Sequence, residues 1–220
     1  VSAQRLASEV GVEVLRGGGN AVDAAVAVGY ALAVVYPTAG NLGGGGFMTL
    51  RMKDGRTRFL DFRERAPGKA SKDMYLDAAG NPVEGLSTDG YLAVGVPGSV
   101  AGFEYARETF GTKGRAELIA PAVRLAREGF ELSAGDVASF ADGNEDLAKD
   151  PAAAAIFLKN GTEPYRVGER LVQSDLAQVL EAISQRGADG FYRGTAAERI
   201  VEASRTKGGI LEPADFESYK

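Results

Sequence analysis

The stretch Pro37-Thr38-Ala39-Gly40-Asn41-Leu42-Gly43-Gly44-Gly45-Gly46-Phe47-Met48-Thr49-Leu50-Arg51-Met52 is where the sequence changes its period. Behind it, residues 21–35 are apolar on every face, rich in Ala and Val, which predicts a helix buried all round. Beyond the glycines, residues 47–52 read as a strand. Asp54-Gly55 marks a hairpin turn, and Arg58-Phe59-Leu60-Asp61-Phe62 supplies the return strand, so the two are expected to pair antiparallel. Helix, glycine loop and hairpin in that order leave the class globular, mixed or helical.

Upstream, residues 2–16 carry Leu6, Val10, Val12, Val14 and Leu15 and read as a helix stopped by Gly17-Gly18-Gly19. Asn20 offers an N-cap, with Asp23 three positions on. Downstream, residues 74–90 are polar with a turn at Asn81-Pro82, and Val94-Gly95-Val96-Pro97-Gly98 punctuates the start of a helix over 99–110. The second half is helix-rich. Residues 117–128 are amphipathic with Pro121 expected in the first turn, and segments 176–185 and 200–204 continue the pattern. Ser133 with Asp136 and Thr195 with Glu198 each have capping-box spacing ahead of a helix. Residues 149–169 are turn-rich and could join two helical lobes, but no composition shift marks a boundary, so a single domain over 1–220 is expected. No fixed-period repeat is present.

Composition excludes several classes of function. At 220 residues the chain can bury roughly 70% of the surface its unfolded form exposes, and 45% hydrophobic with 25% charged residues is the balance of a globular protein. The net charge is −5 and the basic residues are scattered among acids, so nucleic acid is not an expected partner. The longest apolar run stops at Pro37, short of a membrane span. The opening residues are polar with a helical pattern and are not read as a leader. There is no cysteine, which removes disulfides and thiolate chemistry, and no histidine, which removes the Ser-His-Asp triad and imidazole ligation.

Two features remain as candidates for chemistry. The glycine loop fails both phosphate-binding templates: no Gly-Lys-Ser/Thr opens a helix, and the order is helix, glycines, strand rather than strand, glycines, helix. Its glycines would serve close backbone approach or positive φ, with an oxyanion cradle as the functional alternative. The second is Arg63, at a strand end braced by Pro67, where a planar guanidinium can match a carboxylate with two parallel hydrogen bonds. On residue type alone, an arginine among acids is more often solvated or structurally paired. The acids Asp73, Asp77, Glu84 and Asp89 lie in a turn-rich segment, and Asp142, Glu145 and Asp146 read as a solvated helix end. No calcium-loop spacing occurs, so calcium is not expected.

Four blocks in order carry a family resemblance: Gly18-Gly19-Asn20-Ala21-Val22-Asp23-Ala24-Ala25; Pro37 to Met48; Asp61-Phe62-Arg63-Glu64-Arg65-Ala66-Pro67; and Val96-Pro97-Gly98-Ser99-Val100-Ala101-Gly102-Phe103. They resemble the signature blocks of the gamma-glutamyltranspeptidases. The likeness continues through Ala120-Pro121-Ala122, Gly190-Phe191-Tyr192-Arg193-Gly194 and Gly208-Gly209-Ile210-Leu211, and the Pro-Thr-Ala-Gly-Asn-Leu variant is similar to bacterial members.

The resemblance implies an α+β fold, part of a four-layer αββα sandwich of the N-terminal-nucleophile hydrolase type, built from two subunits cut from one precursor. It implies gamma-glutamyl transfer and glutathione hydrolysis by a threonine whose own α-amino group is the base, with no metal or organic cofactor. That threonine begins the small subunit, which is the implied partner, and no Thr-Thr-His start occurs here. The chain therefore reads as an N-terminal portion of the large subunit, without the nucleophile. Arg63 matches the family's arginine for the α-carboxylate of the gamma-glutamyl group, and a periplasmic or secreted location is implied. Alternatives are a same-scaffold acylase of the cephalosporin type, a poly-gamma-glutamate transferase, or a non-catalytic gamma-glutamyl-binding module. Retention of Arg63 favours a gamma-glutamyl substrate.

Overall fold

A computed structural model describes Val1–Lys220. In chain order it contains α1 (Arg5–Arg16), α2 (Ala21–Val35), β1 (Phe47–Arg51), β2 (Thr57–Asp61), a 3-10 turn (Tyr91–Ala93), α3 (Ser99–Phe110), α4 (Arg115–Glu128), β3 (Phe130–Glu131), α5 (Ala134–Ala141), α6 (Asn144–Lys149), α7 (Pro151–Phe157), β4 (Arg170–Leu171), α8 (Ser174–Arg186), α9 (Asp189–Tyr192), α10 (Thr195–Thr206) and α11 (Pro213–Glu217). The chain is mixed and helix-rich, with two separate two-stranded sheets, β1-β2 and β3-β4. No helix is long and apolar enough to cross a membrane. Contacts divide the chain into two compact units, Val1–Asn41 with Phe110–Ser184 and Leu42–Thr109 with Gln185–Lys220. Each unit joins two stretches distant in sequence, so composition carries no mark of the division.

The first unit is organised around α2. Asn20 Oδ1 accepts from the Val22 and Asp23 N–H groups at 2.8 and 2.9 Å, and the Asp23 carboxylate accepts from the Asn20 N–H at 2.8 Å, completing the capping box read from the sequence. Val26, Ala27, Tyr30, Ala31 and Val34 are fully buried, each large side chain contributing roughly 1.5–3 kcal/mol by its removal from water. Ala25 is exposed, so the helix is buried on most faces rather than all. Packing of α1 on α2 needs Gly11, where a Cβ would meet Val28 Cγ2 at 2.7 Å. At the far end, buried Gln173 donates from Nε2 to the Val34 carbonyl at 2.8 Å, satisfying one of the acceptors a helix terminus leaves open.

Several boundaries in this unit differ from the sequence reading. Helix α1 begins at Arg5 rather than residue 2, because Gln4 Oε1 reaches the Leu6 N–H at 2.6 Å and acts as the cap. Helix α4 starts at Arg115, which places Pro121 inside it instead of in the first turn, where it withholds a hydrogen bond from the helix. Ser133 and Asp136 do form the expected capping box of α5. Helix α7, capped by Asp150 and opened by Pro151, occupies part of the stretch read as turns. The β3-β4 pair, Phe130 opposite Leu171, joins segments too short to show a period.

In the second unit β1 and β2 pair antiparallel as expected, with Phe47 opposite Asp61 and Thr49 opposite Phe59. Gly55, at φ +85°, makes the turn, its N–H donating to the Met52 carbonyl at 2.9 Å. Phe47 and Phe59 are 53% and 62% exposed and stack on each other with ring centroids 5.5 Å apart. The helical part buries Phe191, Tyr192 and Phe216 together. Thr195 is the first helical residue of α10 behind an N-cap at Gly194, so the Thr195–Glu198 capping box does not form.

Candidate functional site

Arg63 stands just past the end of the hairpin. Phe62 extends the ladder by exchanging hydrogen bonds with Gly46 at 3.0 and 3.2 Å, and Arg65 exchanges them with Val96 at 2.7 and 3.2 Å. Arg63 and Glu64 are thus held between two backbone anchors. The Arg63 N–H donates to Asp61 Oδ1 at 3.0 Å, and its carbonyl accepts from the Tyr219 hydroxyl at 2.7 Å. Both of its backbone polar groups are satisfied, which fixes the direction in which the side chain leaves the strand.

Glycines make this anchoring possible. A Cβ on Gly45 would lie 2.5 Å from the Phe62 carbonyl oxygen and 2.7 Å from the Glu64 nitrogen, and one on Gly102 would lie 2.2 Å from the Phe62 ring. The Gly44 carbonyl accepts from the Gly98 and Ser99 N–H groups at 2.7 and 2.9 Å. No residue of the 40–46 loop has positive φ, so of the two roles open to these glycines the structure shows close backbone approach. The loop is scaffold for the strand end that carries Arg63.

The guanidinium is held on one edge and one face. Nε donates to Glu64 Oε2 at 3.1 Å, and Cζ lies 5.6 Å from the centroid of the Phe47 ring. The terminal nitrogens make no hydrogen bond within the chain, and the side chain is 62% exposed. Such an arginine presents the paired N–H groups that a carboxylate accepts side by side. Burial pushes the Tyr219 hydroxyl above its ordinary value, opposed by Arg65 and reinforced by Asp61 and Glu64, so it remains a protonated donor to Arg63. Burial likewise holds the Tyr192 hydroxyl far above 10.

The other charged candidates resolve into structural roles. Asp77 accepts from the Asn81 and Ala79 N–H groups at 2.9 and 2.8 Å, and these bonds hold its carboxyl below the usual range while it closes an exposed turn. Glu145 and Asp146 occupy the exposed first turn of α6. No three acidic side chains converge as a metal cage would require. The clefts of the chain include one of 310 Å³ in the first unit along Pro37, Phe140, Leu147 and Phe157, and one of 410 Å³ in the second along Phe59, Phe62, Tyr105 and Tyr219. Neither is lined by Arg63.

The sequence singled out Arg63 but not its neighbours. Phe47 follows from the hairpin register, which sets it opposite Asp61. Tyr219 lies 156 positions away, and no local pattern announces it.

The family model described as Gamma-glutamyltranspeptidase matches residues 7–220. A glutathione hydrolase proenzyme of Pseudomonas sp. (strain A14) is 58% identical over 221 residues, covering 100% of this chain and 38% of that protein. The glutathione hydrolase proenzyme of Escherichia coli (strain K12) is 49% identical over 222 residues, again covering 100% of this chain and 38% of the relative. The crystal structure of Helicobacter pylori gamma-glutamyltranspeptidase superposes with a TM-score of 0.98 at 47% identity, covering 100% of this chain and 63% of that one. The chain therefore spans little more than a third of the length of these curated relatives, yet the whole stretch with its anchored arginine lies inside the matched region, and on that match it belongs to the gamma-glutamyltranspeptidase family.

Proposed function

We propose that this chain is a portion of the large subunit of an enzyme that transfers gamma-glutamyl groups to amino acids or peptides and hydrolyses glutathione and related compounds. Arg63 binds the α-carboxylate of the donor. The observation that carries this reading is the Arg63 guanidinium, pinned through Nε and one face while its paired terminal nitrogens stay exposed. Family membership supplies the reaction class. The hairpin, exposed on both phenylalanine rings, suits one edge of the larger sheets of a four-layer αββα sandwich, since two strands alone are marginal in water.

The division of labour follows from what the residues here can do. The nucleophile is a threonine hydroxyl on the small subunit, activated by its own α-amino group; it attacks the donor γ-carbonyl, expels the amine and forms a gamma-glutamyl ester. Water or an acceptor amine then releases the group. Arg63 contributes by gripping the far end of the donor, which orients the γ-carbonyl for attack. Its charged hydrogen bonds are worth roughly 1.5–3 kcal/mol, or about 10- to 150-fold in specificity. Without the threonine-bearing partner this chain has no transfer activity, and a periplasmic or secreted site of action fits bacterial members.

The test is an assay of the processed two-chain enzyme on three anilides: gamma-glutamyl, glutaryl, which lacks the α-amino group, and 4-aminobutyryl, which lacks the α-carboxylate. Turnover led by the gamma-glutamyl compound is expected. A preference for the glutaryl compound would move the assignment to the acylase reading, and turnover by this chain alone would contradict dependence on the small subunit.

A further inference from the structure

We infer that Tyr219 is a positioning residue for Arg63, fixing the strand end from which the guanidinium reaches substrate. The inference rests on the reading of Arg63 as the carboxylate-binding group. Its hydroxyl donates to the Arg63 carbonyl at 2.7 Å, and the bond spans 156 positions of sequence, so it ties the segment after α11 to the end of β2. Space for that hydroxyl is built in. A Cβ on Gly98 would lie 2.1 Å from the Tyr219 oxygen, so only glycine at 98 admits it.

Tyr219 is itself held by a cation and by a second aromatic ring. The Arg65 guanidinium carbon lies 5.3 Å from its ring centroid, and the Tyr192 ring stacks against it at 5.7 Å with an interplanar angle of 9°. Tyr192 is anchored in turn, donating to the Pro97 carbonyl at 2.9 Å and accepting from the Ala101 N–H at 3.3 Å. The chain of contacts therefore runs from the start of α3 through two tyrosines to the Arg63 carbonyl. Arg63 has no other partner that fixes its carbonyl among the bonds of the strand end, whose ladder stops at Phe62 and resumes at Arg65.

The experiment uses the processed two-chain enzyme and the ratio of kcat/KM for the gamma-glutamyl anilide to that for the 4-aminobutyryl anilide. Tyr219→Phe removes the hydroxyl and keeps the ring stack. The ratio is expected to fall by about 2- to 12-fold, the range of one lost hydrogen bond, through a raised KM for the gamma-glutamyl compound with kcat little changed. In an Arg63→Ala background the same substitution is expected to leave the ratio where Arg63→Ala put it. An unchanged ratio in Tyr219→Phe, or equal losses on both substrates, overturns the positioning role while leaving the Arg63 reading intact. If Arg63→Ala itself spares the ratio, the reading of Arg63 fails and takes the inference with it.

Discussion

Gly98 lies so close to Phe62 that a Cβ at its position would sit 2.0 Å from the Phe62 carbonyl oxygen. That contact wedges the residue before Arg63 against the start of α3, while Gly45 presses on the same carbonyl from the glycine loop. Gly98→Ala must displace the Phe62 backbone as well as the Tyr219 hydroxyl. Overpacking of this kind costs about 1–3 kcal/mol. A lowered thermal midpoint is expected, together with a reduced preference for the gamma-glutamyl over the 4-aminobutyryl anilide. Retention of both would show that the wedge does not set the position of Arg63.

Asp23 is fully buried and accepts four hydrogen bonds, from the Asn20 N–H at 2.8 Å, the Thr112 N–H and Oγ1 at 2.8 and 2.6 Å, and the Lys113 N–H at 3.0 Å. Burial alone would raise its pKa, but the bonds from Thr112, Asn20 and Lys113 outweigh it and hold the carboxyl below 3.8. The sign follows: the folded state binds the proton less tightly than the unfolded one, so the stabilisation is full above the unfolded value and is lost as pH falls through the lower folded one. Asp23→Asn turns an amide N–H toward these donors and is expected to cost about 2–3 kcal/mol at pH 7. The gap from wild type in urea midpoint is expected to narrow as the pH is taken from 7 toward 3; a gap independent of pH would contradict the charged assignment.

Gln173→Ala leaves the Val34 carbonyl of α2 without its buried donor. An unsatisfied buried acceptor costs about 1–3 kcal/mol, to which the lost side-chain packing adds. Gln173→Glu, which replaces the donor with an acceptor, is expected to be worse. The thermal midpoints of the two variants check the order.

Glu64 pairs with Arg63 Nε in an exposed setting, so its charge competes weakly with an incoming carboxylate. Glu64→Gln keeps an oxygen for Nε and removes the charge. KM for the gamma-glutamyl anilide is expected to fall by about 2- to 5-fold at low ionic strength, an effect that salt shrinks. A rise in KM would mean that the carboxylate is needed to orient the arginine.

What the sequence revealed was what neighbours in sequence decide. The capping boxes at Asn20 and Ser133, the Asp54-Gly55 hairpin and the body of α2 each depend on residues a few positions apart, and each is present. Cap choice misled where an unusual residue took the role: Gln4 caps α1, and Gly194 precedes α10 in place of a capping Thr195. Pro121 was misplaced because α4 begins earlier than its apolar face. Contacts that bridge long separations left no pattern to read, and these include β3 with β4, Gln173 with α2 and Tyr219 with Arg63. The glycine loop shows the same limit, since which role its glycines serve depends on Phe62 and Arg63 lying against them. Arg63 stood out in the sequence by its strand-end position and its block, while its exposed terminal nitrogens and its partners come from the fold.

The central claim is that Arg63 grips the donor α-carboxylate, and the most direct measurement is the anilide ratio in the processed enzyme carrying Arg63→Ala. The expected result is a fall of about 10- to 150-fold in kcat/KM for the gamma-glutamyl anilide with the 4-aminobutyryl anilide little affected. Equal losses on both substrates, or no loss on either, would contradict it.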